Sequence, residues 1–352
     1  MAACMREGYA NPSSITAHYT GANKYRREAA AAMAALLNTE PENFVFTSGA
    51  TESNNWIFGP IAENCDGRTI LISAIEHPSV TEPAMALRKR GFNVIEVPVD
   101  TQGVLKPDAL EASLSEGVAI VSIMSANNET GVIQPIRKVG EIIRSKAPKA
   151  LFHVDGTQSV GKVPIDLSNE FDEVDLFSFS AHKFHGPKGI GGLFIRDGIV
   201  VNPMVLGGGQ ELGYRSGTVN SPALAGLTVA AREALTNDPE ELAYMRDEFE
   251  QILLTIWPNT ILFSEKSDRL PNTSMFSICP GNGTDLVDAL AQHECIVSAG
   301  SACSSGTTTP AKTLLAMGVE YDVALGGIRL SVSILTQKRE IKLFLRSLKS
   351  SI

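Results

Sequence analysis

Residues 176–190 place a lysine where it could bind an aldehyde. The segment runs Leu-Phe-Ser-Phe-Ser-Ala-His-Lys-Phe-His-Gly-Pro-Lys-Gly-Ile, so Lys183 follows an apolar, strand-like stretch and enters a polar, glycine-rich turn. A second strand-like stretch, residues 150–155, ends in the carboxylate of Asp155. A lysine that holds an aldehyde and an acid that pairs with a pyridinium nitrogen are the two groups that bind pyridoxal phosphate (PLP). Taken singly, Lys183 would be an ordinary surface lysine and Asp155 a helix cap.

A third segment supplies the remaining anchor of such a cofactor. After the short apolar run of residues 43–47 comes Ser48-Gly-Ala-Thr-Glu-Ser-Asn54, in which small and hydroxyl residues precede a predicted helix. Backbone N–H groups and the helix dipole make a helix N-terminus a binding site for phosphate. Many helices begin with Ser or Thr only as ordinary caps. Together with Asp155 and Lys183, however, the segment completes anchors for phosphate, ring nitrogen and aldehyde.

The bulk properties of the chain exclude several classes of protein. Its 352 residues suffice for one large and one small domain, and the net charge of −9 argues against a direct nucleic-acid partner. The longest apolar stretches, such as residues 118–124, fall far short of the roughly 20 residues that span a membrane. Residues 1–7 lack the pattern of a secretory signal, so we expect a cytoplasmic protein. The five cysteines show neither a disulfide pattern nor metal-ligand spacing.

The order of the predicted elements indicates an α/β fold. Seven strand-like runs, at residues 43–47, 69–73, 93–97, 119–124, 150–154, 175–179 and 192–195, alternate in part with helical segments such as residues 25–37, 83–90 and 136–145. This alternation predicts a mainly parallel seven-stranded sheet with helices on both faces. A helical stretch from residue 222 to about 257 is broken near Asn237-Asp-Pro. We therefore predict a large domain over residues 1–236 and a smaller α+β domain over residues 237–352.

The chain resembles the PLP-dependent cysteine desulfurases of fold type I, in the NifS/IscS-like subgroup of the class V aminotransferase family. The resemblance spans nearly the whole chain and rests on eight ordered motifs. They are Phe46-Thr-Ser-Gly-Ala-Thr-Glu-Ser-Asn54, Glu76-His-Pro-Ser-Val80, Asn127-Asn-Glu-Thr-Gly131, His153-Val-Asp-Gly-Thr-Gln-Ser-Val-Gly-Lys162, Ser178-Phe-Ser-Ala-His-Lys183, Gly207-Gly-Gly-Gln-Glu211, Arg215-Ser-Gly-Thr218 and Gly300-Ser-Ala-Cys-Ser-Ser305.

The resemblance implies a role for each residue of the cofactor site. Lys183 would bind the cofactor's aldehyde and later move a proton, Asp155 would keep the ring nitrogen protonated, and His77 would stack on the ring and act as an acid or base. His77 could also be a polar strand-end residue that caps a helix. Asn128 and Gln158 would contact the phenolic oxygen. The phosphate would be bound by Ala50, Thr51, Ser180, His182 and, from the second subunit of a homodimer, Thr218.

The resemblance also implies the substrate site and the nucleophile. Arg329 would bind the α-carboxylate of L-cysteine with Asn128 nearby, although a lone arginine in a strand more often forms a structural ion pair. Cys303 lies in a small, polar stretch, and such an exposed thiol could attack the substrate sulfur and then carry a persulfide to an acceptor. Cys279 and Cys295 adjoin apolar runs and are expected to be buried.

Two features leave alternatives open. The family's opening strand, with an Asp-Asn-Ala-Ala-Thr-Thr-like motif, has no counterpart in the first residues, so we expect a truncation, an internal start or a substitute element. The sulfur acceptor or scaffold protein could serve iron–sulfur cluster assembly, tRNA thiolation, a sulfur-containing cofactor or DNA phosphorothioation. Competing hypotheses are a related lyase or aminotransferase, for example one acting on selenocysteine, and a PLP-binding scaffold subunit.

Overall fold

The computed structural model describes residues 1–14, 17, 21–278, 281–300 and 309–351. The chain divides into two compact units. The first comprises Met1–Val97, Pro107–Ser125 and Pro135–Asn237, and the second comprises Pro98–Lys106, Ala126–Gln134 and Asp238–Ile352. None of the helices in the described ranges combines the length and apolar composition that a membrane span requires.

A seven-stranded sheet forms the centre of the first unit. Its strands are β1 (Phe44–Thr47), β2 (Thr69–Ser73), β3 (Asn93–Val97), β4 (Val118–Met124), β5 (Leu151–Asp155), β6 (Leu176–Ser180) and β7 (Gly191–Ile195), in the spatial order β1-β7-β6-β5-β4-β2-β3. Strands β3, β2, β4, β5 and β6 pair in parallel, whereas β7 is antiparallel to both of its neighbours. The mainly parallel seven-stranded sheet predicted from the sequence is therefore confirmed.

The strand sequences explain this arrangement. Strand β4 reads Val-Ala-Ile-Val-Ser-Ile-Met and all seven of its residues are buried. Such continuous apolar runs are typical of parallel strands covered on both faces. The helices around the sheet are α1 (Ala2–Glu7), α2 (Lys24–Leu37), α3 (Ala50–Trp56), α4 (Pro78–Arg88), α5 (Pro107–Ser113), α6 (Ile136–Lys146) and α7 (Ser221–Ala234).

One helix boundary of the first unit differs from the sequence-based expectation. Helix α4 was expected over residues 83–90 but begins at Pro78, because the side chain of His77 caps it by accepting a hydrogen bond from the Ser79 N–H. Proline suits the first position of a helix, where no intrahelical N–H bond is lost. Pro83 lies inside the helix and does not start it.

The second unit is an α+β fold around a four-stranded antiparallel sheet. Its strands are β8 (Thr260–Leu262), β9 (Thr273–Ile278), β10 (Ser298–Ala299) and β11 (Gly327–Ser331), in the order β10-β11-β9-β8. Its helices are α8 (Pro239–Ile256), α9 (Gly283–Ala291), α10 (Lys312–Ala316), α11 (Tyr321–Leu325) and α12 (Lys338–Ser351). Phe249 packs against both Phe276 and Phe344 in its core. The two-residue strand β10 is too short to show a strand pattern in the sequence.

Candidate active site

Three of the predicted cofactor residues follow strand ends on one edge of the large sheet. His77 follows β2, Asp155 ends β5, and Lys183 lies in the 3₁₀ turn Ala181–Phe184 directly after β6. The carboxyl ends of parallel strands meet at one edge of a sheet, which is where α/β proteins bind ligands. The charges of both Asp155 and Lys183 act on His77. The fold therefore brings these three residues together.

The Asp155 carboxylate is buried and held on both oxygens. The residue is 4% exposed. Oδ2 accepts a hydrogen bond from Asn54 Nδ2 at 2.9 Å, and Oδ1 accepts one from the Thr157 N–H at 3.0 Å. Since each oxygen accepts from an N–H donor, the carboxylate is held in one orientation.

The imidazole of His77 is oriented by the helix that it caps. Nδ1 lies 3.0 Å from the Ser79 backbone N, from which it accepts, and 2.8 Å from Ser79 Oγ. Burial lowers the pKa of His77, while the charge of Asp155 raises it and that of Lys183 lowers it. Since Nδ1 accepts, the neutral ring carries its proton on Nε2. The capping role and a role at the cofactor are therefore compatible.

The segment predicted to bind phosphate is the turn between β1 and α3. Gly49 has a φ of 151°, a conformation that favours glycine, and an added Cβ would lie 3.3 Å from Ser180 Oγ. The Ala50 N–H donates to Ser180 Oγ at 2.8 Å, which leaves the hydroxyl proton of Ser180 to be donated elsewhere. Ala50 and Ser180 are buried and Thr51 is exposed.

The turn is braced by two ion pairs that the sequence did not suggest. Glu52 accepts from the Ser48 N–H at 2.9 Å and from Arg215 Nε at 2.8 Å. Glu211 accepts from the Phe46 N–H at 3.0 Å and pairs with Arg26. The first pair fixes the segment that carries Thr218, which is itself exposed.

Lysines lie close to two further residues of the predicted cofactor site, His182 and Gln158. Burial lowers the pKa of His182, and the charges of Lys183, Lys188 and Lys162 lower it further. Lys162 Nζ donates to Gln158 Oε1 at 2.9 Å and to the Gln158 carbonyl at 2.8 Å. The amide of Gln158 is thereby turned so that its NH₂ group is the donor still available.

Arg329 and Asn128 lie in the second unit. Arg329, on β11, donates from Nη1 to the Asn128 carbonyl at 2.6 Å and from Nη2 to Ser298 Oγ at 3.2 Å. Glu129 is buried nearby, and burial raises its pKa against the opposing effects of Thr313 and the Arg329 charge. The two residues predicted for the substrate site are thus in direct contact with each other.

The cysteines are described only in part. Cys303 and Cys279 lie outside the described residues, so the predicted nucleophile stays a prediction. Cys295 is buried, as expected, and Cys4 is buried as well. Burial raises the pKa of the half-buried Cys65, and the charge of Asp66 acts in the same direction.

Several buried polar residues near Asp155 were not assigned a role from the sequence. Asn54, Ser178, His153 and Ser122 are each 0% exposed and are linked by hydrogen bonds. A sequence signal existed, because Ser122, His153 and Ser178 interrupt apolar strands. Gly156, which follows Asp155, has no room for a side chain, since an added Cβ would overlap the ring of Phe177.

The chain is similar in sequence and in structure to proteins of one family. A family model described as Aminotransferase class-V matches residues 1–344. A cysteine desulfurase of Cereibacter sphaeroides is 39% identical over 340 residues, covering 96% of this chain and 87% of that protein. Cysteine desulfurase 2 of Trichormus variabilis is 38% identical over 340 residues, covering 96% of this chain and 84% of that protein. A solved structure titled NIFS-like protein matches with a TM-score of 0.90 and 37% identity, covering 99% of this chain and 93% of that one. The chain therefore belongs to the class V aminotransferase family, among its cysteine desulfurases.

Proposed function

We propose that the chain is a PLP-dependent cysteine desulfurase, which converts L-cysteine into L-alanine and carries the released sulfur as a persulfide on Cys303. The observation that carries the proposal is the meeting of His77, Asp155 and Lys183 at one edge of the sheet. The family is PLP-dependent, and relatives at 38–39% identity are cysteine desulfurases. The aminotransferase and selenocysteine hypotheses have no observation of their own in their favour.

The described residues fit PLP. A buried carboxylate held on both oxygens suits a pyridinium nitrogen, and the Gly49 turn with the Ser180 hydroxyl suits a phosphate. A Cβ at position 49 would crowd Ser180. Ala50, Thr51, His182 and, from a second copy of the chain, Thr218 would complete the phosphate contacts, while Asn128 and Gln158 would contact the phenolic oxygen.

Each residue of the site would have a defined task. When bound, PLP supplies an electron sink that stabilises negative charge at the substrate α-carbon. Lys183 would hold the cofactor's aldehyde and then, once displaced by the substrate amine, carry the proton that leaves the α-carbon. Asp155 would keep the ring nitrogen protonated. The Nε2–H of His77 would be available as a proton donor, because Nδ1 is occupied by Ser79.

Arg329 would bind the α-carboxylate of L-cysteine. Its guanidinium is oriented by the Asn128 carbonyl and by Ser298, and guanidinium geometry matches a carboxylate. Arg329→Lys keeps the charge and loses the planar fork. We expect KM for L-cysteine to rise at least about tenfold with a smaller change in kcat, since about 1.4 kcal/mol of binding corresponds to tenfold.

Cys303 would be the nucleophile. Its thiolate attacks the sulfur of the substrate, so that an S–S bond forms while the Cβ–S bond breaks and its electron pair stays with carbon. Proton return to that carbon and to the α-carbon gives L-alanine, and the transferred sulfur remains as a persulfide. The reaction needs no external oxidant or reductant.

The architecture suggests how the chain would work as an assembly. Residues 1–236 would form the PLP-binding domain and residues 237–352 the domain with the cysteine loop, with residues 98–106 and 126–134 packing in the second unit. We propose a cytoplasmic homodimer that passes sulfur to an acceptor or scaffold protein.

The test is a reaction with the purified, PLP-loaded chain alone. Incubated with L-cysteine, it should form L-alanine, and Cys303→Ala should abolish this while leaving the visible absorbance of the lysine-bound cofactor unchanged. Cys65→Ala is the matched control, because Cys65 is half-buried and should be dispensable. A PLP-loaded chain that forms no alanine would contradict the proposal and favour a scaffold subunit.

A further inference from the structure

The buried amide of Asn54 links the two side chains proposed to contact the cofactor ring. Asn54 lies on α3 and is 0% exposed. Nδ2 donates to Asp155 Oδ2 at 2.9 Å and to Ser79 Oγ at 3.0 Å, and Oδ1 accepts from Ser178 Oγ at 2.7 Å. A carboxylate oxygen only accepts, so the orientation of the amide is fixed. Both N–H groups and the carbonyl of the amide are used.

One branch of this network leads to His77. Ser79 Oγ, which accepts from Asn54, lies 2.8 Å from His77 Nδ1, and the Ser79 N–H donates to the same nitrogen. Movement of Asn54 would therefore disturb both the Asp155 carboxylate and the His77 ring.

The other branch orients Asn54 from within the sheet. Ser178 Oγ donates to Asn54, so it accepts from His153 Nε2 at 3.1 Å, and His153 Nδ1 accepts from Ser122 Oγ at 2.8 Å. Burial lowers the pKa of His153 to about 4, although the charge of Asp155 opposes this, so the ring is neutral. The donors thus run in one direction, from Ser122 to Asp155.

We propose that Asn54 is a positioning residue that holds Asp155, and through Ser79 also His77, in the arrangement that PLP requires. The inference rests on the proposed function, because it assigns a task at the same cofactor site. A hydrogen bond to a charged group contributes about 1.5–3 kcal/mol, so its loss should weaken PLP binding by about 10- to 100-fold. The titratable groups that face this network are Asp155, His77, His153, Lys183 and Glu76.

The experiment compares Asn54→Ala and Asn54→Asp with Asn55→Ala. Asn55 lies on the same helix but is exposed, and its amide donates to the Thr51 carbonyl of that helix. For each protein, two quantities are measured: the dissociation constant of PLP and the pH midpoint at which the absorbance of the lysine-bound cofactor changes. Denaturation of the PLP-free proteins reports stability separately.

We expect Asn54→Ala to weaken PLP binding by about 10- to 100-fold. Asn54→Asp would set two carboxylates at hydrogen-bond distance, and both cannot ionise near neutral pH. Its pH midpoint should therefore shift from that of the wild type, whereas Asn55→Ala should keep both wild-type values. A merely structural role would lower the stability of the PLP-free protein without moving the midpoint.

If Asn54→Ala does not fold, Asn54→Asp and Ser178→Ala carry the test, since both preserve the shape of the site and Ser178→Ala frees the amide. If the Asn54 variants bind PLP as tightly as Asn55→Ala and show the same pH midpoint of the cofactor absorbance, the inference is wrong while the proposed function still stands. If the wild-type chain mixed with PLP shows no absorbance band that depends on Lys183, the proposed function is wrong, and the inference is wrong with it.

Discussion

Replacing Glu76 with glutamine should make the protein's stability less dependent on pH. Glu76 is buried between the ends of β2 and β4, where Oε1 accepts from Ser73 Oγ at 2.6 Å and from the Met124 N–H at 2.7 Å. Oε2 is buried and has no hydrogen-bond partner among the described residues. Burial raises the pKa of Glu76 to about 8, and the charge of Asp155 acts in the same direction, against the two hydrogen bonds.

The size of the effect follows from proton linkage. The folded protein keeps a proton on Glu76 that the unfolded chain loses above pH 4.5. The free energy of unfolding therefore falls as pH rises from 4.5 to about 8, by at most about 1.4 kcal/mol per pH unit, and then levels off. Over this window the fall is about 4 kcal/mol, because the titration is only half complete at each end of it. Glutamine cannot ionise, so Glu76→Gln lacks this fall.

At pH 5 both side chains are neutral, and the variant should be less stable by about 1–3 kcal/mol because its NH₂ group lacks a partner. Between pH 5 and pH 8.5 it should gain about 4 kcal/mol relative to the wild type, so that at pH 8.5 it is the more stable protein.

Urea denaturation of the PLP-free proteins at pH 5, 7 and 8.5 measures this difference. Replacing Trp257 with phenylalanine leaves Trp56, buried in the core of the first unit, as the fluorescence reporter. Glu82→Gln is the matched control, since Glu82 lies exposed on α4 and should show no such gain. If the stability difference between Glu76→Gln and wild type is instead constant from pH 5 to 8.5, Glu76 is ionised in the folded protein. That result would refute the argument that burial keeps Glu76 protonated.

Three further predictions test other parts of the structure. Arg269→Met leaves the buried carboxylate of Glu250 without the arginine that binds both of its oxygens, at 2.8 and 3.0 Å, and should cost about 3–5 kcal/mol in urea denaturation. Adding Glu250→Leu should restore most of this stability, and a double variant no more stable than the single one would contradict the prediction. Gly49→Ala imposes about 1–3 kcal/mol of backbone strain and should weaken PLP binding by about 5- to 100-fold, whereas Gly117→Ala, where an added Cβ has space, should leave the affinity unchanged. Lys162→Met removes a neighbouring cation and should raise the pKa of His182 in an NMR titration; an unchanged or lower value would be inconsistent with the charge effect.

The sequence alone predicted the seven strands of the large sheet and most of its surrounding helices. Strands such as β4 are apolar throughout, and this pattern needs no knowledge of the neighbours. The break between α7 and α8 was also predicted, because Asn237-Asp-Pro favours a helix start at Pro239. The antiparallel direction of β7 was not predicted, since strand direction depends on the path of the chain between strands.

Single residues with specific chemistry could likewise be selected from the sequence. Lys183 and Asp155 stand at the ends of apolar runs, and parallel pairing then brings such ends to one edge of the sheet. The role of Cys303 rests on the sequence motif alone, because its position lies outside the described residues.

Only the tertiary structure decided which polar groups meet. Asn54, His153 and Ser178 come from three separate segments, and their hydrogen bonds depend on the parallel pairing of β4, β5 and β6 and on how α3 packs. The pKa of Glu76 depends on burial, and the tautomer of His77 depends on the contact of its ring with Ser79. These properties arise because groups that are distant in the chain become neighbours in the protein interior. Hydrogen bonds and charges interact more strongly there than in an extended chain surrounded by water.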